Sequence, residues 1–112
     1  MQRESIGELE EFVLLAVGSL SDEAYAIAIL EVIQEHTGRS LDVTSIHSVL
    51  RRLAKKGYVK SSMGGASKER GGRRKRLFIL TQAGRAIIDD TMSARLSLYK
   101  KISQVPFISL SV

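Results

Sequence analysis

Five of the seven residues from Arg70 to Arg76 are arginine or lysine, and Leu77, Phe78, Ile79 and Leu80 follow them directly. Cations so crowded suit a polyanion, because each one brought beside a phosphate releases a condensed counterion. A second set lies upstream: Thr44, Ser45, His47, Ser48 and Arg51, then Arg52 and Lys55. Small hydroxyl side chains allow close approach and hydrogen bonds to base edges, and long basic ones reach phosphates. Catalytic chemistry has fewer materials. Cysteine is absent, which removes disulfides, thiolate metal sites and cysteine nucleophiles together. His36 and His47 are the two imidazoles, and no paired ligand set accompanies them, so neither a metal nor a cofactor is expected. The carboxylate pairs Glu10–Glu11 and Asp89–Asp90 are read as helix-surface neighbours that diverge by about 100°. The stretch GGASKERGG lacks the strand-to-helix context and the Gly-Lys-Ser/Thr ending of a phosphate loop. These residues predict a binding protein and no enzyme.

The basic charge is concentrated. Of the 112 residues, those from 51 to 76 hold eleven Lys/Arg against Glu69 alone, a local +10 inside a chain of net +5. The remainder is acidic, at −5. Such asymmetry lays a positive footprint on one side of the molecule and points to a polyanion as partner, which the order of elements narrows to double-stranded DNA. The length fits one compact domain, small enough that a core shared with a second copy is a reasonable expectation. No signal peptide opens the chain and no apolar run reaches membrane-spanning length, so no membrane partner is expected and the location read from the sequence is cytoplasmic.

The elements that must position these side chains can be read from periodicity and punctuation. Ile6, Leu9, Val13 and Ala16 recur at helical spacing, predicting a first helix that starts near Ser5 and is broken at Gly18, Ser19 and Ser21. A second helix is predicted from Asp22 or Glu23 to Thr37, its apolar face made by Ala24, Ile27, Ala28, Leu30 and Ile33 and its end marked by Gly38. Tyr25 reads as a half-buried residue of that helix. Asp42 or Thr44 caps a short third helix whose buried stripe is Ile46, Val49, Leu50 and Leu53, and Gly57 stops it. Tyr58–Val59 and Leu77–Leu80 are the predicted strands of a hairpin with a long basic tip. Thr81 caps a last helix running to about Gln104, before Pro106. Ile88, Met92, Leu96, Leu98, Tyr99 and Ile102 leave that helix apolar on more than one side, which requires two surfaces to cover it.

Helix, helix, short helix and basic two-stranded wing is the winged helix-turn-helix order, mainly α with a small β-hairpin. It divides the chain into a DNA-binding part, residues 1–80, and a C-terminal dimerisation helix and tail, 81–112. A helix fits the major groove. The third helix presents Thr44, Ser45, His47, Ser48 and Arg51 to bases, while Arg52 and Lys55 face phosphates. In the wing, Lys68, Arg70, Arg73, Arg74, Lys75 and Arg76 serve as backbone anchors, and Gly71 and Gly72 permit close approach.

Four blocks carry a resemblance: LEEFVLLAV (Leu9–Val17), EAYAIAI (Glu23–Ile29), LRRLAKKGYV (Leu50–Val59) and RGGRRKRLFILTQAG (Arg70–Gly84). In this order and spacing they resemble the PadR-like family of bacterial transcriptional regulators. The resemblance implies a homodimeric, usually repressing protein that binds a two-fold symmetric operator and dimerises through its C-terminal helix. Some members release DNA when aromatic acids or hydrophobic drugs bind, so a small aromatic or hydrophobic effector is a further implied partner. Two positions depart from the family pattern: Ala26 follows Tyr25 where glycine is usual, and His47 stands where tyrosine is usual. No operator sequence is therefore carried over. The competing reading is a winged helix that binds another protein with DNA contact secondary or absent; the charge of the wing argues against it. Nonspecific single-strand binding lacks the interleaved aromatics it needs, since only Tyr58 and Phe78 flank the basic stretch.

Overall fold

A computed structural model describes residues 6–63 and 75–105. Its elements are α1 (Glu8–Leu20), a 3₁₀ turn (Ser21–Glu23), α2 (Ala26–Thr37), α3 (Val43–Lys55), β1 (Val59–Met63), β2 (Arg76–Leu80) and α4 (Gln82–Ser103). Helices α1, α2 and α3 enclose one core. Val13, Leu14, Ala16 and Val17 meet Ile29 and Ile33 of α2 and Ile46, Val49, Leu50 and Leu53 of α3, and Tyr58, Val59, Phe78 and Ile88 close it from the hairpin and α4.

Helix α1 begins at Glu8 rather than near Ser5, with Gly7 as its cap residue. The Gly7 N–H donates to the Glu10 carboxylate at 2.8 Å, so an acid three positions into the helix satisfies one of the unpaired N-terminal amides. The helix also continues through Gly18 and Ser19, which were expected to break it. The Ser19 hydroxyl returns to the Ala16 carbonyl at 3.0 Å, and a Cβ on Gly18 would stand 3.0 Å from Leu80 Cδ1. Gly18 is thus a packing residue. The chain turns only at Ser21, whose φ of 56° is left-handed.

The second helix starts at Ala26, three to four residues later than expected from Asp22 or Glu23. Ala24 and Tyr25 are held out of it because the Ala24 carbonyl accepts the Phe78 N–H of β2 at 3.0 Å. The buried face also differs from the one expected. Ile29 and Ile33 are buried, while Ile27 is 55% exposed. Gly38 closes α2 as expected, with φ 72° and its N–H on the Gln34 carbonyl.

Tyr58, predicted as strand, lies before β1, and the two antiparallel strands pair from Val59↔Leu80 to Met63↔Arg76. The hairpin is therefore longer than predicted on its first side: Lys60 to Met63 belong to β1, because pairing with Leu77–Leu80 continues in register past Val59. At its base, the Thr81 hydroxyl donates to the Gly57 carbonyl at 2.6 Å and accepts the Gly84 N–H at 3.0 Å. One side chain thereby joins the end of α3, the hairpin and the start of α4.

Helix α4 lies against the core only at its beginning. Gly84 and Ile88 are buried, Ile87, Thr91 and Met92 are half-buried, and every residue from Ser93 to Ser103 is exposed. Its 22 residues extend about 33 Å. The radius of gyration, 17.3 Å, exceeds the roughly 13 Å of a compact domain this long, as a projecting helix requires.

Candidate nucleic-acid interface

The candidate recognition surface lies on α3. Asp42 accepts the backbone N–H of Thr44 at 2.6 Å and of Ser45 at 3.3 Å, which fixes where the helix starts and so which residues share a face. Ile46, Val49, Leu50 and Leu53 are buried against the body. At about 100° per residue, Thr44, His47, Ser48, Arg51 and Lys55 then fall on one outward stripe, with Ser45 and Arg52 on its flank. Thr44, His47, Arg51, Arg52 and Lys55 are exposed, and Ser45 and Ser48 are half-buried. The stripe runs from hydroxyls to cations along the helix. Arg51 Nη2 lies 3.4 Å from Ser48 Oγ, leaving most of the guanidinium's donors facing outward.

Beside it stands the hairpin. Of the wing residues singled out above, Lys75 and Arg76 are described, while Lys68, Arg70, Gly71, Gly72, Arg73 and Arg74 lie outside the described residues. Arg76 Nη1 donates to Ser61 Oγ across the strand pair at 3.0 Å, and the Lys75 ammonium sits over the Tyr25 ring. Tyr25 therefore touches the rising edge of the wing, a contact invisible to periodicity because it joins residues fifty positions apart.

Glu10 and Glu11, expected on the helix surface, are 6% and 7% exposed. Their burial follows from their partners. Lys56 Nζ reaches the Glu10 carboxylate at 3.1 Å and Arg52 Nε approaches it at 3.6 Å, so α1 grips the C-terminal end of α3. Burial alone would push the Glu10 carboxyl up, but the Gly7 N–H, Lys56 and Arg52 outweigh it and hold the group below its usual range. Glu11 pairs with Arg95 of α4 in a two-pronged contact, Nε to Oε1 and Nη2 to Oε2, both at 2.8 Å. The hydrogen bond to Glu11 raises the Arg95 guanidinium above its ordinary value. A Gly-x-x-Glu spacing at the helix start could have signalled part of Glu10's role, but with the cap expected near Ser5 it was missed. For Glu11 no local signal exists.

The residues expected at a dimer interface divide. Ile88 is buried in the core of its own chain, and Met92 leans against it. Leu96, Leu98, Tyr99 and Ile102 are each more than half exposed and line an open apolar groove with Met92 and Arg95. Among the described residues no group of three or more metal-ligating side chains assembles, and no helix is long and apolar enough to cross a membrane. His36 Nδ1 lies 3.0 Å from the Val32 carbonyl of its own helix, and His47 stands exposed on the α3 stripe.

Three helices around one core, a presented third helix and a two-stranded wing define a winged helix-turn-helix protein. The chain belongs to the Transcriptional regulator PadR-like family, whose pattern it matches over residues 14–90. Members of that family are regulators of transcription and not enzymes. Solved structures agree on the fold. A PadR family transcription regulator from Clostridium difficile superposes with a TM-score of 0.71 at 21% identity, covering 88% of this chain and 97% of that one. A PadR-like transcriptional regulator from Bacillus cereus gives 0.70 at 16% identity, covering 86% and 88%. A transcriptional regulator from Streptococcus gives 0.69 at 20%, covering 86% and 89%. No curated protein matches the chain.

Proposed function

We propose that the protein is a sequence-specific repressor that binds a palindromic operator as a homodimer in the cytoplasm. The observation that carries this reading is the outward stripe of α3, where hydroxyls are followed by cations opposite a fully buried apolar face. Thr44, Ser45, His47, Ser48 and Arg51 read base edges, and Arg52 and Lys55 hold phosphates. The wing, with Lys68, Arg70, Arg73, Arg74, Lys75 and Arg76, follows the adjacent backbone over Gly71 and Gly72. Residues 1–80 form the reading head and residues 81–112 join two copies. In that division the first turns of α4 stay with the head, and the dimer contact rests on Met92, Leu96, Leu98, Tyr99 and Ile102.

The open form of the α4 groove supports a second helix as its occupant. Release by a small hydrophobic or aromatic effector belongs to the same proposal and requires space left between two such helices. Selection of duplexes from a random pool at several protein concentrations tests the reading. Enrichment of a two-fold symmetric site with concentration-dependent binding is expected, and aromatic acids added to the same reaction should lower it. Equal recovery of all sequences would overturn specific reading. Ser48→Ala or Arg51→Ala should alter which duplexes are recovered, whereas Arg73→Ala with Arg74→Ala should weaken all duplexes and flatten the salt dependence by about two phosphate contacts. An unchanged salt slope would remove the wing from the interface.

A further inference from the structure

We propose that the Glu11–Arg95 ion pair sets the spacing between the two half-sites that the protein reads; this rests on the homodimeric DNA-binding function proposed above. Arg95 lies where α4 leaves the body. Thr91 and Met92 are the last residues of the helix with partial burial, and from Ser93 onward every side chain is exposed. Among the described residues, Glu11–Arg95 is the ion pair that ties α4 to another element, joining positions 84 apart in the chain. Its form matters as much as its charge. Two parallel N–H···O contacts at 2.8 Å fix the guanidinium plane against the carboxylate, which a single ammonium contact would not do.

Beyond that pair the helix is a lever. Arg95 to Ser103 extends about 12 Å at 1.5 Å per residue. A tilt of about 16° at the Arg95 fulcrum moves its far end by about 3.4 Å, the rise of one base pair. If two copies meet along Leu96, Leu98, Tyr99 and Ile102, the angle between α4 and α1 determines how far apart the two α3 stripes lie. Glu10, the residue before Glu11, holds Lys56 and Arg52 at the end of α3. Adjacent carboxylates on one turn of α1 thus connect the lever on one side with the reading helix on the other. Arg95 and Glu11 touch no DNA in this arrangement; they are positioning residues.

The test uses the full chain and duplexes carrying two copies of the selected half-site separated by spacers of successive length, with a single half-site duplex as control. The parent protein should favour one spacer over its neighbours by about tenfold or more. Glu11→Gln and Arg95→Gln should flatten that preference across adjacent spacers while binding the single half-site within about twofold of the parent. Arg95→Lys, which keeps the charge on an exposed side chain but loses the fork, should fall between, and Glu11→Arg with Arg95→Glu should restore a single preferred spacer. Retention of the parent's full discrimination by both single variants would overturn the proposal. So would an equal loss on the single half-site and on every spacer, because that is the signature of a destabilised head. A parent that binds two half-sites no better than one sinks the homodimer reading and the spacing proposal with it, whereas a discriminating parent with unchanged variants sinks the spacing proposal alone.

Discussion

The Lys75 ammonium lies 5.4 Å from the centre of the Tyr25 ring, so the rising edge of the wing rests on the residue that precedes α2. The contact is a cation over an aromatic face, worth about 0.5–1 kcal/mol at an exposed site. Tyr25→Leu should therefore weaken duplex binding by about two- to fivefold on every sequence, with the salt slope unchanged because no charge is lost. Tyr25→Phe should bind as the parent does. Anisotropy titrations at two salt concentrations distinguish these outcomes, and a changed slope for Tyr25→Leu would contradict the assignment.

Thr81 is the knot at the base of the hairpin. Thr81→Val keeps the shape but removes both the cap of α4 and the bond to the Gly57 carbonyl, at an expected cost of about 1–2 kcal/mol. Thermal unfolding should show a loss of roughly 4–8 °C per kcal/mol for a domain of this size. Thr81→Ser, which keeps the hydroxyl, should recover most of it.

A Cβ at Gly84 would overlap the backbone carbonyl of Tyr58, and backbone cannot step aside as a flexible side chain does. Gly84→Ala should cost about 1–3 kcal/mol or more despite alanine's better helix propensity. Gly38→Ala meets no neighbouring atom but must adopt φ 72°, so its loss should be smaller and confined to the end of α2. Denaturant midpoints for the two variants rank the effects.

Acid should loosen the α1–α3 contact. Because the folded-state pKa of Glu10 is depressed, its contribution is present above the unfolded value of about 4.3 and is lost as pH falls through the lower folded value. Glu10→Gln should be less stable than the parent at neutral pH and should lose less stability on acidification below about pH 4.3. Parallel stability curves for the two proteins over that window would show that Glu10 does not carry the effect.

How much of this was readable in advance depended on distance along the chain. Helix α3 was legible because its cap, read as Asp42 or Thr44 and found at Asp42, its stripe Ile46–Val49–Leu50–Leu53 and its stop at Gly57 are all local. The apolar residues Leu96, Leu98, Tyr99 and Ile102 of α4, which the structure leaves exposed, were also visible, since they lie in the pattern of a single helix. The start of α2 was not, because a hydrogen bond from β2 holds Ala24 and Tyr25 extended against a helix-favouring composition. Glu10 and Glu11 looked like solvated charges for the same reason. Their partners stand 46 and 84 residues away, and nothing local signals that a carboxylate will be covered by a distant cation.

The shallow seating of α4 has an evolutionary consequence. Leu96, Leu98, Tyr99 and Ile102 contribute nothing to the interior, so they can drift without unfolding the head, while Gly84 and Ile88 cannot. Under the proposed pairing, a duplicated copy of the gene could lose its affinity for the parent chain through changes in that outer half alone. The two regulators would then be insulated from mixed assembly before either had altered the sequence it reads.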